Sequence, residues 1–309
     1  MSEQQQTSVS DSHFTGNFLG IFSILIWGSV IAFSRSLAED LGTFTSGACI
    51  FLLGGAIATS HFILKHKGLR KLFEHPPRHL LICGSLFILY EVAFYTAIGH
   101  AHNRQQVIEI GLINYLWISF TLVFSIPILK KKASPWLVPG ILLSLVSIAM
   151  TAAQGGNYSL AELKSNVMQH GMPYLLAFAA AVAWALYSNL NRSLAGNSHA
   201  SVVPFFLLGT GLVLAVFTLF VREHSVWNRS VVMQLLYTAV FPITLGYVFW
   251  DIAMRRGNLV LVTSLSYSIP IVSTIISGIF LGVALTATIW VACVLVIAGG
   301  AICRFSIKD

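Results

Sequence analysis

Charged side chains are scarce in this chain: only 9% of its 309 residues are Asp, Glu, Lys or Arg, whereas 56% are hydrophobic. Soluble domains contain about 25% charged residues, so this scarcity excludes an ordinary soluble protein. The sequence contains ten apolar runs near the roughly 20 residues that a transmembrane helix needs. They cover residues 18–34, 44–64, 80–98, 107–129, 136–153, 173–191, 202–221, 231–254, 259–281 and 285–303. A membrane barrel would show short alternating strands instead, so we predict an all-α integral membrane protein with ten transmembrane helices.

Cysteine is also scarce, and its four copies fall singly within the apolar runs, at Cys49, Cys83, Cys293 and Cys303. No CxxC pair is present, which argues against a zinc site and against a disulfide framework. His100 and His102 are close enough in sequence to share a metal ion, but neither has a carboxylate or Cys neighbour. We therefore predict no metal site and no cofactor.

Basic residues are absent from the first sixteen positions, MSEQQQTSVSDSHFTG, which therefore lack the basic n-region of a secretory signal peptide. We interpret residues 1–16 as a disordered tail and the first apolar run as a retained span. With ten spans both termini lie on one side; if that side is the cytoplasm, 13 of the 18 Lys and Arg are cytoplasmic and 5 are external. This bias predicts cytoplasmic termini. Nucleic-acid binding explains the net charge of +7 less well, because the basic residues are divided among short loops.

An internal duplication is visible in the order of repeated features. Trp27 and the tetrapeptide RSLA at 35–38 recur 157 residues later, at Trp184 and 192–195. Further matches follow at offsets of 155, 154 and 152, namely FLLG at 51–54 and 206–209, Trp136 and Trp290, and Tyr115 and Tyr267. We predict two five-helix repeats, at 17–154 and 172–304, with an external linker at 155–171 and a short cytoplasmic tail at 305–309. Since five is odd, the second repeat starts on the opposite side, and such inverted repeats are typical of secondary transporters that bind substrate near the midplane.

Candidate substrate-binding residues are those near the middle of a span, since a residue about ten positions into a helix lies near the bilayer centre. They are Trp27, Tyr90, Glu91, Asn114, Trp117, Trp184, Tyr187, Tyr247 and Tyr267. Membrane aromatics normally collect at the two interfaces, so tryptophans at mid-depth favour an inward role. The alternative is that they only pack between helices or face lipid.

Helical periodicity places Asn114, Trp117, Thr121 and Ser125 on one face, whereas Tyr115 lies about 100° further round and is expected to face a neighbouring helix. Ser266, Pro270, Ser273 and Ser277 form a matching face. These polar stripes line either a cavity or a helix contact, and small hydroxyl residues are common at helix contacts in membranes. For Ser273 and Ser277 we favour packing.

Two of the mid-span residues have a distinct chemistry. Glu91 is the acid placed deepest in a span, and such a carboxylate is a functional candidate by default. It can bind a substrate ammonium group, carry a coupling proton, or make a structural hydrogen bond. Pro270 is predicted to kink its helix by removing a backbone hydrogen bond, which makes it a candidate gating hinge or a purely structural kink.

The stretch SYSIPIVSTIISGIFLGVALT, at 266–286, resembles the EamA-type members of the drug/metabolite transporter superfamily. The run LINYLW, at 112–117, is similar to the aromatic amino-acid exporters of the YddG type. Two positions depart from the family pattern: Val283 stands where many members have Glu, and Ile118 where Pro is frequent. The resemblance implies a helical bundle with a central cavity, which exports phenylalanine, tyrosine or tryptophan and related amphipathic compounds.

These observations predict a monomeric transporter in a bacterial inner membrane, working by alternating access on a small aromatic substrate. A transporter of another small cargo, such as a cationic drug held by Glu91, is the alternative within this class. A membrane-embedded enzyme is disfavoured, since the spans contain no paired carboxylates, His cluster or nucleophile motif. A channel is disfavoured because no repeated filter sequence is present.

Overall fold

The structure is a computed structural model that describes residues 3–152, 160–194, 201–256 and 265–308. The described residues are mostly helical. The α-helices are α1 (Glu3–Trp27), α2 (Val30–Leu41), α3 (Thr43–His66), α4 (Pro77–Gly99), α5 (Arg104–Asn114), α6 (Trp117–Leu129), α7 (Leu137–Ala152), α8 (Leu160–Leu194), α9 (Val203–Thr218), α10 (Arg229–Thr238), α11 (Gly246–Arg256), α12 (Ile269–Leu281) and α13 (Ala287–Ser306). Short 3₁₀ turns occupy Arg70–Glu74 and Ser266–Ser268, and a π-helical segment, Ala239–Leu245, joins α10 to α11. Two antiparallel strands, β1 (Lys132–Ala133) and β2 (Ile307–Lys308), pair in the register Lys132 with Lys308.

Seven helical segments of the described residues are long and apolar enough to cross a membrane. They are Thr15–Leu41, Thr43–His66, Pro77–Gly99, Arg104–Leu129, Gly171–Leu194, Arg229–Trp250 and Ala287–Ser306. Three shorter apolar helices, Leu137–Ser147, Val203–Thr218 and Ser266–Leu281, fall within the remaining predicted runs. The start of the predicted run 259–281 lies outside the described residues.

Several of the long segments are interrupted near their centres. The first is broken at Gly28 and Ser29, between α1 and α2, and a Cβ at Gly28 would approach Val272 Cγ1 to 2.6 Å. Glycine therefore permits close contact with α12 at this break. The fourth is broken by a turn at Tyr115 and Leu116. Interrupted helices free backbone groups at mid-depth, where protein, water or ligand must satisfy them.

Three local features differ from the sequence expectations. The helix α1 begins at Glu3, within the 1–16 stretch expected to be disordered, and Glu and Gln there are good helix formers. Helix α8 begins at Leu160, inside the expected linker 155–171. Pro270 lies in the first turn of α12 rather than in the middle of a helix. A proline is well tolerated there, because the N–H that it lacks would have no partner within the helix.

The bundle is held together by contacts between the two halves of the chain, with α3 against α9, α4 against α8, α1 against α11 and α7 against α13. Small residues allow the closest approach. A Cβ at Gly55 would lie 2.6 Å from Leu208 N, and one at Gly211 would lie 2.6 Å from Leu52 N. Small residues that let backbones approach are typical of helix contacts in membranes. The α3–α9 contact therefore depends on glycine on both helices.

Polar links concentrate at the bundle end where α2 and α4 finish and α5 begins. The Arg35 guanidinium donates to the carbonyls of Ile98, Gly99 and Ala101 at 3.0, 3.2 and 3.0 Å. It also pairs with Glu39 at 2.8 Å, and Glu39 in turn pairs with Arg104 at 2.6 Å. Arg104 further donates to the carbonyl of Leu281 at 3.0 Å. We call Arg35, Glu39 and Arg104 the arginine latch, which ties α2 to the ends of α4 and α12.

Candidate functional site

A cavity lies at the centre of the bundle, between the interrupted helices. Its empty space is about 590 Å³, including the part open to solvent. Its lining is formed by Trp27, Val30, Ile31, Tyr90, Glu91, Phe94, Asn114, Tyr115, Trp117, Trp184, Ile243, Tyr247 and Ile269. Most of these side chains are aromatic or aliphatic, and the polar groups are few, which is the usual composition of such a site.

The aromatic walls are built from two equivalent pairs. The rings of Tyr90 and Trp184 are 4.6 Å apart, and those of Tyr247 and Trp27 are 5.1 Å apart. Tyr90 and Tyr247 are separated by 157 residues, the same offset that separates Trp27 and Trp184. The same tyrosine–tryptophan contact thus occurs once between α4 and α8 and once between α11 and α1. Such tilted and edge-to-face pairs stabilise one another and present apolar faces to a ligand.

The position of Trp27 follows from the π-helical segment opposite it. The indole N–H donates to the carbonyl of Pro242 at 3.0 Å. A π-helical segment is a common feature of functional sites, and this one supplies the carbonyl acceptor for the indole. A Cβ at Gly246 would come within 2.5 Å of Trp27 Nε1. Gly246 therefore makes room for the indole, and the hydrogen bond fixes its orientation at the cavity wall.

Glu91 supplies the acidic group of the cavity. It is 5% exposed, and its carboxylate accepts a hydrogen bond from the phenol of Tyr247. Among the described residues that line the cavity, it is the single Asp, Glu, Lys, Arg or His. Asn114, the C-terminal residue of α5, is 3% exposed, and its Oδ1 atom has no hydrogen-bond partner. The cavity thus offers two buried acceptor groups within aromatic walls.

Most of the predicted site residues meet at this cavity. Those that line it are Trp27, Tyr90, Glu91, Asn114, Trp117, Trp184 and Tyr247. The structure places two others beside it. Tyr187 packs behind the wall, with its ring 5.2 Å from Trp184 and 5.4 Å from Phe87. Tyr267 donates to the Gly300 carbonyl at 3.1 Å and so packs against α13. Pro270 also lies outside the lining, although the preceding residue, Ile269, belongs to it.

The helical break at Tyr115 and Leu116 explains why Tyr115 lines the cavity, which its position on a regular helix did not predict. On a continuous helix Tyr115 would point about 100° away from the face of Asn114 and Trp117, whereas the turn brings all three to the cavity. Beyond the break, the Thr121 hydroxyl donates to the Trp117 carbonyl at 2.6 Å, and Ser125 donates to Leu122 O at 2.6 Å. Thr121 and Ser125 therefore donate hydrogen bonds to the backbone of their own helix and do not line the cavity.

Sequence reasoning missed the aliphatic and phenylalanine part of the wall. Val30, Ile31, Ile243 and Ile269 carry no chemical signal that separates them from other apolar residues in the spans. Phe94 could have been predicted, because it lies one helical turn after Tyr90 and therefore on the same face of the helix. In the structure the two rings stack at 6.0 Å. A second buried carboxyl, Glu109, accepts a hydrogen bond from Tyr174 and does not line the cavity. Within the described residues no group of three or more His, Cys, Asp or Glu side chains could hold a metal ion.

Comparison with known proteins gives consistent matches over nearly the whole chain. The model of the EamA-like transporter family matches residues 14–153 and 171–304. The chain is similar to a Salmonella typhimurium protein named aromatic amino acid exporter YddG, at 28% identity, covering 92% of this chain and 95% of that protein. A protein of the same name from Ancylobacter novellus is 28% identical, covering 94% and 97%. A solved structure titled only "Crystal structure of protein" is 26% identical with a TM-score of 0.68, covering 95% of this chain and 98% of that one.

Proposed function

The chain belongs to the EamA-like transporter family, and from this premise we propose that it exports aromatic amino acids through the central cavity. The observation that carries the proposal is the aromatic wall formed by the two equivalent tyrosine–tryptophan pairs. Offset or edge-to-face contact with an aromatic side chain contributes about 0.5–1.5 kcal/mol per ring pair. A cavity walled by several indoles and phenols would therefore favour phenylalanine, tyrosine and tryptophan over small aliphatic amino acids. The relatives named as aromatic amino acid exporters support the same cargo.

The proposed architecture is ten transmembrane helices in two inverted five-helix repeats, 17–154 and 172–304, joined by a linker at 155–171. The equal offset of 157 residues in both wall pairs supports an internal two-fold relationship. The contacts of α3 with α9 and of α7 with α13 also fit it, since each joins equivalent helices of the two halves. In inverted repeats a substrate site lies between the halves, near the membrane midplane.

Transport by alternating access then requires the two ends of the bundle to open in turn. With both termini in the cytoplasm, as the basic loops suggest, the arginine latch faces the exterior. Its bonds tie α2 to α4 and α12, so release of cargo would require them to break. Pro270, in the first turn of α12, remains our candidate for the hinge. The membrane would be a bacterial inner membrane, and we expect a monomer to suffice because one chain encloses the cavity.

A proteoliposome assay tests this function. Purified protein should move labelled phenylalanine or tryptophan, and an excess of unlabelled aromatic amino acid should compete. Alanine should move much more slowly, since it offers no ring to the wall. Movement of alanine at the same rate would contradict the aromatic cargo.

Wall variants connect this activity to the cavity. Replacing Trp117 or Trp184 by Ala should lower the transport rate roughly 2- to 12-fold for each ring pair that the substitution removes between wall and cargo. Trp136, which is 71% exposed, provides the matched control, because Trp136→Ala removes an indole that does not line the cavity. Unchanged transport rates in folded Trp117→Ala and Trp184→Ala protein would show that both indoles only pack between helices and do not bind the cargo.

A further inference from the structure

One buried acceptor atom of the cavity lining is left without a donor. Asn114 Oδ1 is buried and has no hydrogen-bond partner. A buried acceptor without a donor costs free energy, and native proteins keep few such atoms without a reason. An acceptor that lines a cavity is satisfied when a ligand brings a donor. A cargo N–H or O–H group placed against Asn114 would supply that donor.

The charge balance of the cavity gives the sign of that cargo. Glu91 has the neutral phenol of Tyr247 as its partner, and no Lys, Arg or His occurs among the described lining residues. A carboxylate buried without a cation is costly, whereas one paired with a cation through a hydrogen bond is well stabilised. A positively charged ligand would supply the missing counter-charge. The same lining provides no cationic partner for a carboxylate on the ligand.

We propose that Glu91 and Asn114 bind the protonated amine of the cargo, and that a carboxylate on the cargo is not required. An ammonium group has three N–H donors and no acceptor, which matches the two acceptors. The adjacent indole and phenol rings add cation–π attraction. Aromatic primary amines that lack a carboxylate, such as 2-phenylethylamine, tyramine and tryptamine, are therefore ligands bound at least as tightly as the corresponding amino acids. This inference rests on the proposed function, since it assigns the recognition chemistry of the same cavity.

A series of three ligands, tested on the wild-type protein, shows whether the amine or the carboxylate of the cargo is recognised. Binding of 2-phenylethylamine, L-phenylalanine and 3-phenylpropionate to detergent-purified protein is measured by titration calorimetry and by tryptophan fluorescence. We expect the amine to bind at least as tightly as phenylalanine, and 3-phenylpropionate to bind roughly tenfold more weakly or worse, because it lacks the charged donor. Equal binding of 3-phenylpropionate and 2-phenylethylamine would overturn the proposal.

Charge-neutralising variants identify the residue responsible. Glu91→Gln keeps the side-chain size and an oxygen acceptor for Tyr247, and it should weaken 2-phenylethylamine roughly tenfold while leaving 3-phenylpropionate unchanged or tighter. Glu109→Gln is the matched control, because Glu109 is also buried and also accepts from a tyrosine but does not line the cavity. It should leave amine binding unchanged. Equal weakening by both variants would overturn the assignment, since a general loss of structure would produce it.

Transport and binding distinguish failure of this proposal from failure of the proposed function. Binding of 2-phenylethylamine that depends on Glu91, in a protein that moves no labelled phenylalanine, would support the amine site and contradict amino-acid export. Movement of phenylalanine by a protein that binds 2-phenylethylamine and 3-phenylpropionate equally well would support amino-acid export and contradict the amine site. A wild-type protein that binds none of the three ligands would contradict both.

Discussion

The phenol of Tyr247 donates a hydrogen bond to the carboxylate of Glu91 across the wall of the cavity, 156 positions away in the sequence. Glu91 belongs to the first segment that matches the family model, and Tyr247 belongs to the second. Like the bond from the Trp27 indole to the Pro242 carbonyl, this polar contact joins the two halves at the candidate binding site. Any movement that separates α4 from α11 must break it, and any ligand that engages Glu91 must share the carboxylate with Tyr247.

Removing the Tyr247 hydroxyl should affect stability and recognition together. Tyr247→Phe leaves a buried carboxyl without this donor, which we expect to cost on the order of 1–3 kcal/mol of unfolding free energy. Tyr174→Phe removes the equivalent donor from Glu109 and should cost a similar amount. Thermal unfolding in detergent measures both. Only Tyr247→Phe should change the KM for cargo, and a comparable change in Tyr174→Phe would show that the effect is indirect.

The glycine contact between α3 and α9 predicts a sharp difference between two neighbouring positions. A methyl group at Gly211 would meet the backbone of Leu52 at 2.6 Å, whereas one at Gly209 would meet only the end of the Ile88 side chain at 3.0 Å. Gly211→Ala should therefore destabilise the protein by about 1–3 kcal/mol, the usual cost of overpacking. Gly209→Ala should cost less, because Ile88 can move. Equal melting temperatures for the two variants would contradict this packing.

The two arginines of the latch should differ in their contribution to stability. Arg35 has a side chain that is 11% exposed, and it holds three carbonyl groups near the end of α4. Arg35→Gln should therefore lower the melting temperature measurably, since cations stabilise helix C-termini and these carbonyls lose their donor. Arg104 is 49% exposed, and its pair with Glu39 should be worth at most about 1 kcal/mol.

The latch also predicts a change in access to the cavity. A cysteine introduced at Phe94, which lines the cavity, should react faster with an external membrane-impermeant thiol reagent when Arg35→Gln is present. Arg104→Gln provides the comparison and should accelerate labelling less. Faster labelling from the cytoplasmic side alone would place the latch on the opposite face of the membrane.

The proposed orientation predicts the location of specific loops. Single cysteines at Lys71 and Lys131 should be protected from an external impermeant reagent in intact cells, whereas single cysteines at Glu223 and Arg229 should react. Each substitution is made in a background in which the four native cysteines are replaced. Labelling of position 71 together with 223 would contradict ten spans with both termini inside.

The polar and aromatic part of the cavity was predictable because mid-span depth and chemical type are both readable from the sequence. Trp27 and Trp184 stood out by their depth and their common offset, and Glu91 and Asn114 by the cost of placing them in lipid. The side of a helix that faces the cavity was less predictable, since it depends on where the helix is interrupted. Tyr115, expected to face a neighbouring helix, lines the cavity for this reason, and its phenol also contacts Ser273 of α12. No proline marks the turn at Tyr115 and Leu116, so there is no local signal for it in the sequence.

Tyr187 and Tyr267 illustrate a different limit. Both lie at a depth compatible with a central site, but contacts between helices decide whether such a side chain faces the cavity or the layer behind it. Tyr267 is directed to α13 by the close approach that Gly300 allows, where a Cβ would lie 2.7 Å from the tyrosine ring. A contact of this kind depends on the packing of two helices and is not encoded in the periodicity of either one.

The start of α3 has a consequence for the synthesis of the chain. The backbone N–H groups of Phe44 and Thr45 donate to the carboxylate of Glu223 at 2.9 and 2.7 Å, across 179 and 178 residues of sequence. On the ribosome, the helix therefore emerges long before the acid that completes its first turn. Water or lipid headgroups must satisfy these donors in the meantime. The first half of the chain would thus enter the membrane as an unfinished unit, and this contact would close only after translation had passed residue 223, well inside the second half.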